Sequence, residues 1–282
     1  MTTVVIPAHN EERVLPRLLA ALLAEAEPGE FDVFVVSNGS SDRTVEVASQ
    51  FPGVRVVDIE EPSKHLALQA GDEAAAASSQ PFPRLYVDAD VVLSTDGARA
   101  LRAALHSDAT LAAAPRRNMS LERADWVVRA YYRVWAELPA VRDGLYGRGV
   151  LAVDEEGFAR IADRPDVLGD DIYLHSRFAD GERAIVADAA VTVYGPQTRH
   201  DLLRRRIRAA QGNAQLADAT GGATDTTRSS SRELLRVARR EPRLWPSVPA
   251  FLGITLTARY LAKRQRRSGE KAVWLRDESS RS

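Results

Sequence analysis

The stretch LYVDADVVL sets two carboxylates, Asp88 and Asp90, two residues apart at the end of an apolar run. Ending a strand on two like charges is costly unless a cation compensates them. Oxygen-only ligation suits Mg2+ or Mn2+ shared between protein carboxylates, water and a substrate's phosphates. The plainer alternative is a solvated turn in which the aspartates cap the next segment of chain. A second acidic pair, Asp170 and Asp171, opens LGDDIYLHSRF at an apparent helix start, where an N-cap and a favourable first-turn charge are the ordinary use of such residues. Arg116 and Arg117 follow the apolar residues 111–114 and have the fork that pairs phosphate oxygens bidentately. Only three of the 38 basic residues are lysines, Lys64 among them, so arginine clusters carry less weight than they would elsewhere.

These residues need a scaffold, and the pattern supplies one. From Thr3 onward, short β-branched runs alternate with stretches of helical period, the signature of βαβ units with parallel strands. Strands are expected at residues 4–7, 33–36, 54–59, 85–87 and 111–114, with helices from 15 to a stop at Pro28 and Gly29, at 42–50 and at 65–78. Ligands of open parallel sheets bind beyond the carboxyl ends of the strands. His9, Asn10 and Glu11 follow the first strand, Ser37 to Ser40 the second, Glu60 and Glu61 the third, and Asp88 with Asp90 the fourth. After about residue 115 the alternation loosens into an aromatic helix at 121–137, a glycine-rich turn at 144–149, a strand at 150–153, a strand pair at 184–194 and a helix at 200–216. The expected division is an α/β half at 1–115, a second half completing it at 116–217, a flexible small-polar loop at 218–231 and a helical extension at 232–282.

Composition removes several classes. The chain has 282 residues, 45% hydrophobic and 27% charged, which is globular rather than disordered. Its net charge of −1 provides no global basic field, so no nucleic-acid partner is expected. With no cysteine there is no disulfide framework, thiolate zinc site or thiol nucleophile. A P-loop is absent, and the first strand runs into PAHNEE rather than GxGxxG. The opening residues lack the charged and apolar regions of a secretory signal, so a cytoplasmic location is expected.

Taken together, VVIPAHNEE, VVSNGSSDRT, the SKHLALQAG segment and VDAD, in that order over most of residues 3–93, resemble family 2 glycosyltransferases. The resemblance implies the GT-A fold, a Rossmann-like α/β architecture with a mostly parallel sheet flanked by helices, a smaller acceptor-side subregion and a C-terminal helical extension. It implies an inverting transferase that moves a sugar from a nucleotide-diphosphate sugar to an acceptor hydroxyl. Pro7, His9, Glu11 and Asn38 would hold the nucleoside, Asn38 standing where the family more often has Asp. Asp88 and Asp90 would hold ribose and a metal-bound diphosphate, and Lys64 would lie near the donor. In LGDDIYLHSRF, Asp171 would be the base and Asp170 would take the position of the family's Glu, with Leu174 and Arg177 completing the match. In the region where processive members carry QxxRW, only the arginine survives, as Arg208, which implies a non-processive enzyme. The acceptor stays open: a sugar, a lipid-linked sugar or a small molecule. A nucleotidyltransferase, or an inactive sugar-nucleotide-binding subunit, is the competing reading.

Residues 244–258 form a charge-free stretch shorter than the roughly 20 apolar residues a spanning helix needs. Basic and aromatic residues up to 267 follow it. Peripheral contact with the inner face of the plasma membrane through 244–267 is one expectation; a helix packed on the domain or across a homodimer is the other.

Overall fold

The computed structural model describes residues 1–77, 82–107, 109–166, 170–219 and 231–267. In chain order its elements are β1 (Thr2–Ala8), α1 (Leu15–Leu23), β2 (Phe31–Asn38), α2 (Thr44–Ser49), β3 (Val54–Ile59), α3 (Lys64–Ala76), β4 (Arg84–Val87), β5 (Val91–Leu93), α4 (Thr95–Ala104), β6 (Ala112–Ser120), α5 (Trp126–Trp135), α6 (Pro139–Asp143), β7 (Val150–Val153), α7 (Glu155–Ile161), α8 (Asp170–Ser176), β8 (Arg183–Tyr194), α9 (Arg199–Ala219), α10 (Ser231–Arg240) and α11 (Val248–Arg267). They fall into two compact units. The first comprises Met1–Met119, Gly147–Asp163 and Arg177–Val193, and the second Ser120–Tyr146, Arg164–Ser176 and Tyr194–Ser282.

The first unit is built on an eight-stranded sheet of order β3-β2-β1-β4-β7-β6-β8-β5. β3, β2, β1 and β4 run parallel, whereas β4–β7, β7–β6 and β8–β5 pair antiparallel. The α/β architecture expected from the alternating pattern is therefore present, with the parallel strands at the start of the chain where the alternation is cleanest. β1 and β2 read as near-continuous apolar runs because both faces are covered; Val4, Val5, Ile6, Val33, Val35 and Val36 are all buried. On α1, Leu15, Leu18, Leu19 and Leu22 recur at helical spacing and are fully buried on that core, with a proline in the first turn. Truncating one of them to alanine would cost about 2–5 kcal/mol.

Several expected elements differ in extent. The strand pair at 184–194 is one twelve-residue strand, β8, because no glycine or proline interrupts it and burial alternates through Ala189, Val191 and Val193. The aromatic helix starts at Trp126 rather than 121, because Asp125 caps it by accepting from the Val128 amide at 2.8 Å. β5 and α4 were not foreseen; β5 is only three residues long and directly follows the acidic turn.

The second unit is helical. α11 packs on α9 and α5: Phe251 stacks on Tyr131 with ring centroids 5.0 Å apart, Ala258 and Ala262 meet Ile207, and Gln211 donates to Gln265 at 2.8 Å. Of the four aromatic side chains on α5, Tyr131 and Tyr132 are buried and Trp135 is half-buried, while Trp126 is exposed. Of the loop expected at 218–231, residues 218–219 continue α9 and residue 231 opens α10; the rest lies outside the described residues. Among the described residues no helix is long and apolar enough to cross a membrane.

Candidate active site

In the first unit, the loops beyond the carboxyl ends of β1, β2 and β3 are tied to one another. After β1, His9 Nδ1 lies 2.5 Å from the Asn38 carbonyl oxygen, and the buried Asn38 side chain donates through Nδ2 to the Ala8 carbonyl at 2.9 Å. Asn10 sits in the left-handed region at φ 52°, a conformation Asn tolerates better than most residues. There its Oδ1 accepts from the Ser41 amide at 2.6 Å and the Asp42 amide at 3.3 Å. The Glu11 amide donates to Thr44 Oγ1 at 2.7 Å and the Glu12 amide to Asp42 Oδ2 at 3.1 Å. Gly39 donates to Ile59 at 2.8 Å; at its φ of 59° a Cβ would stand 2.9 Å from the Glu60 carbonyl oxygen. Nothing larger than glycine lets these two loops approach so closely. The result is a preorganised rim of backbone and amide groups in which Pro7 and His9 are half-exposed and Glu11 is buried.

Beside β1 in the sheet, β4 delivers Asp88. Its carboxylate Oδ1 is 3.0 Å from Lys64 Nζ, and both side chains remain a third or more exposed. Lys64 is the first residue of α3, a helix started by Ser63, whose hydroxyl accepts from the Leu66 amide at 3.2 Å. The Asp88 amide donates to the Gly149 carbonyl at 2.7 Å. Gly149 has φ 67°, and a Cβ there would fall 2.6 Å from Val91 Cγ1 and 3.2 Å from Asp88 Oδ2. The glycine-rich turn expected at 144–149 thus cradles the first carboxylate of the acidic pair, a role that its composition alone did not reveal. Asp90 is half-buried, and its carbonyl accepts from Arg17 Nη2 at 3.4 Å.

Arg116 and Arg117 lie inside β6 rather than after it, so strand alternation turns them to opposite faces. Arg116 donates to the Ala187 carbonyl at 2.6 Å. Arg117 reaches the Gly147 carbonyl at 3.0 Å, on the turn that carries Gly149. Only Arg117 joins this neighbourhood. Buried Arg148, which sequence reasoning passed over, donates to the Pro115 carbonyl at 2.9 Å and ties the same turn to β6.

Asp170 and Asp171 open α8 in the second unit, as expected from the sequence, and Asp171 is half-buried. This short helix is anchored by Ile172, which packs with Tyr146 and Leu216. His175, one turn after Asp171, is buried; it accepts from the Leu145 amide at 3.3 Å and meets the Tyr146 ring edge-on at 5.3 Å. It holds the 145–146 turn, an anchoring role. Arg208 is half-buried on α9, and Arg177 donates to the Arg160 carbonyl at 3.1 Å in the first unit.

Asp88 and Asp90 supply hard oxygen donors. Among the described residues no group of three His, Asp or Glu side chains could hold an ion by itself. That donor set fits Mg2+ or Mn2+ taking its remaining ligands from water and a phosphorylated substrate, which is how these ions commonly sit on one or two carboxylates.

Comparison with known proteins gives the family and the fold. The model of the family described as Glycosyl transferase family 2 matches residues 3–155. An uncharacterized glycosyltransferase of Mycobacterium tuberculosis is 34% identical over 127 residues, 45% of this chain and 54% of that protein. The chain therefore spans about half the length of this relative. A 4,4'-diaponeurosporenoate glycosyltransferase of Staphylococcus aureus is 40% identical over 57 residues, 20% of this chain and 14% of its own. Among solved structures, a mannosyltransferase of Pyrobaculum calidifontis in complex with GDP-mannose and Mn2+ has a TM-score of 0.60 at 21% identity, covering 96% of this chain and 81% of that one. Glucosyl-3-phosphoglycerate synthase of M. tuberculosis, in complex with Mn2+, UDP and glucosyl-3-phosphoglycerate, has a TM-score of 0.56 at 21% identity over 80% and 81% of the two chains. At such identities the structures establish a shared fold.

Proposed function

The chain belongs to glycosyl transferase family 2, and from that membership we propose that it moves one sugar per encounter from a nucleotide-diphosphate sugar to an acceptor hydroxyl, with inversion at the anomeric carbon. The observation that carries the reading is the acidic pair at the end of β4, with Asp88 held between Lys64 and the Gly149 turn beside the tied loops of β1 and β2. Pro7, His9, Glu11 and Asn38 take the nucleoside, and Lys64 and Arg117 meet the diphosphate oxygens. Arg116, engaged on the opposite face of β6, is left out of the proposed set, and Arg208 is added to it as a diphosphate contact. Asp88 and Asp90 would hold Mn2+ or Mg2+, which would neutralise charge on the diphosphate. The neighbouring structures hold GDP-mannose with Mn2+ and UDP with Mn2+, which supports this class of donor without choosing a base.

Asp171 takes the proton of the acceptor hydroxyl while the oxygen of that hydroxyl bonds to the anomeric carbon and the bond to the diphosphate oxygen breaks. Asp170 supports it from the preceding position. We assign residues 1–115 to donor binding, 116–217 to the acceptor and catalysis, and 232–282 to a helical extension, of which residues 268–282 lie outside the described residues.

The test is a thermal-shift panel of UDP, GDP, CDP and dTDP and their sugar conjugates, each with Mn2+, Mg2+ or EDTA. One nucleotide should stabilise the protein in a metal-dependent manner, because a ligand that binds only the native state raises its melting temperature. That shift should vanish in Asp90→Ala. In Asp171→Asn the shift should persist while donor turnover falls by about 10²–10⁴-fold, the usual worth of a general base. A folded protein that responds to no nucleotide would overturn the reading.

A further inference from the structure

We propose that α11, with the turn before it, is a docking face for an anionic lipid bilayer, lying in the interface rather than crossing it. This surface goes beyond the transfer reaction and does not depend on it. On α11, Leu252, Leu256 and Tyr260 stand four residues apart and so share one side of the helix. They are 39%, 59% and 66% exposed, and Trp245 in the preceding 3-10 turn is 51% exposed. The opposite side of α11 is already used: Phe251, Ala258 and Ala262 are buried against Tyr131 and Ile207. The stripe is therefore an outer face of a helix whose inner face is satisfied.

Charge selects the occupant. Arg259, Lys263 and Arg267 fall on the same side as the stripe and are exposed, and α11 contains no acidic residue. Residues 231–267 hold ten basic and two acidic residues in a chain whose total charge is −1, so the positive charge is concentrated here. A second copy meeting this face with its own would bring like charges together, and a nucleic acid would have no use for Leu252 and Leu256. An apolar stripe that runs into a cationic end, with Trp and Tyr at its margins, matches a bilayer surface, where leucines enter the acyl boundary and basic side chains meet lipid phosphates.

The experiment is sedimentation of the full chain with vesicles of phosphatidylcholine alone and of equal parts phosphatidylcholine and phosphatidylglycerol, in low and high salt. The protein should bind the anionic vesicles, release in high salt and ignore the neutral ones. Lys263→Glu with Arg267→Glu should weaken binding by at least about 25-fold, each basic residue near such a surface contributing about fivefold. Leu252→Ser with Leu256→Ser should weaken it by about tenfold or more. All four positions are exposed, so circular dichroism should be unchanged in both variants. Equal binding to neutral and anionic vesicles, or binding to neither, would overturn the proposal. Binding that ignores the leucine variant would remove the interfacial mode, and a dimer of the parent chain that the leucine variant dissolves would give the face to a second copy.

Discussion

The two ends of the parallel strands in the first unit treat charge in opposite ways. At the amino end, Glu30 precedes β2 and is clasped by Arg99 through two bonds of 2.7 and 2.8 Å. Asp32, at the start of β2, pairs with Arg55 of β3, whose guanidinium also lies over the Phe34 ring at 4.2 Å. Arg84, at the start of β4, is 1% exposed; it bonds Asp72 at 2.7 Å and sits over the rings of Phe82 and Phe158 at 4.8 and 4.5 Å. At the carboxyl end of the same β4, Asp88 meets the single ammonium of Lys64 in a contact open to water. Arginine's rigid fork commits a carboxylate to one geometry, whereas a lysine is a mobile point charge that an incoming cation can replace. The amino edge thus commits its charges to the fold, and the carboxyl edge keeps its charges exchangeable.

The sharpest way to break this contrast is to neutralise one carboxylate at the open end. Asp90→Ala should lower sugar transfer on the order of 10²–10³-fold, the scale seen when one group stabilising a developing charge is removed. Its melting temperature should stay within about 2 °C of the parent. Arg84→Met should do the reverse. It takes the guanidinium away from the Asp72 carboxylate, which is only 13% exposed and also accepts from the Tyr86 hydroxyl at 2.6 Å, and should cost about 3 kcal/mol in denaturant unfolding. Nucleotide affinity of the folded fraction should be unchanged. If Arg84→Met weakened the nucleotide and spared stability, the division between the two edges would fail.

Gly149→Ala tests the carboxyl edge at the point where fold and site share one turn, since the turn is structural and the carboxylate it cradles is not. An alanine at φ 67° carries about 1–2 kcal/mol of backbone strain, and its Cβ meets Val91 Cγ1 at 2.6 Å. Stability should fall by at least that amount. Nucleotide affinity in Mn2+ should fall with it, because the same Cβ presses on Asp88 Oδ2. Titration of the variant with a donor nucleotide, next to a melt, separates the two effects.

How much the sequence discloses depends on physical range. β3 and β7 fall on the expected residues, and α1 starts where expected although it ends at Leu23, before Pro28 and Gly29, because apolar periodicity acts within a few positions. The acidic pair after β4 was visible because two carboxylates closing an apolar run contradict their surroundings. The partners of these residues were not visible. Lys64 reaching Asp88 spans 24 positions and the Gly149 carbonyl meeting the Asp88 amide spans 61, distances that only the closed sheet makes short. Arg116 and Arg117 looked equivalent until β6 proved to run through them, and strand alternation then separated them. His175 is buried against Tyr146, 29 positions away, and nothing local encodes that contact.

The smallest effect concerns acid, and it probes the amino edge alone. The Arg99 guanidinium holds the Glu30 carboxyl at about 2, below its ordinary 4.5. A carboxylate whose pKa is lowered by folding stabilises the native state fully above its unfolded value and loses that contribution as pH falls through the folded one. Glu30→Gln should therefore melt below the parent at neutral pH, the gap should narrow as pH drops below 4.5, and it should close near pH 2. Sugar transfer at neutral pH should be the same in both proteins, because Glu30 and Arg99 lie at the strand ends opposite Asp88. A gap that stays constant from pH 7 to pH 3 would mean that the ion pair contributes packing rather than charge, and the amino edge would then owe its stability to the arginine stems lying along it.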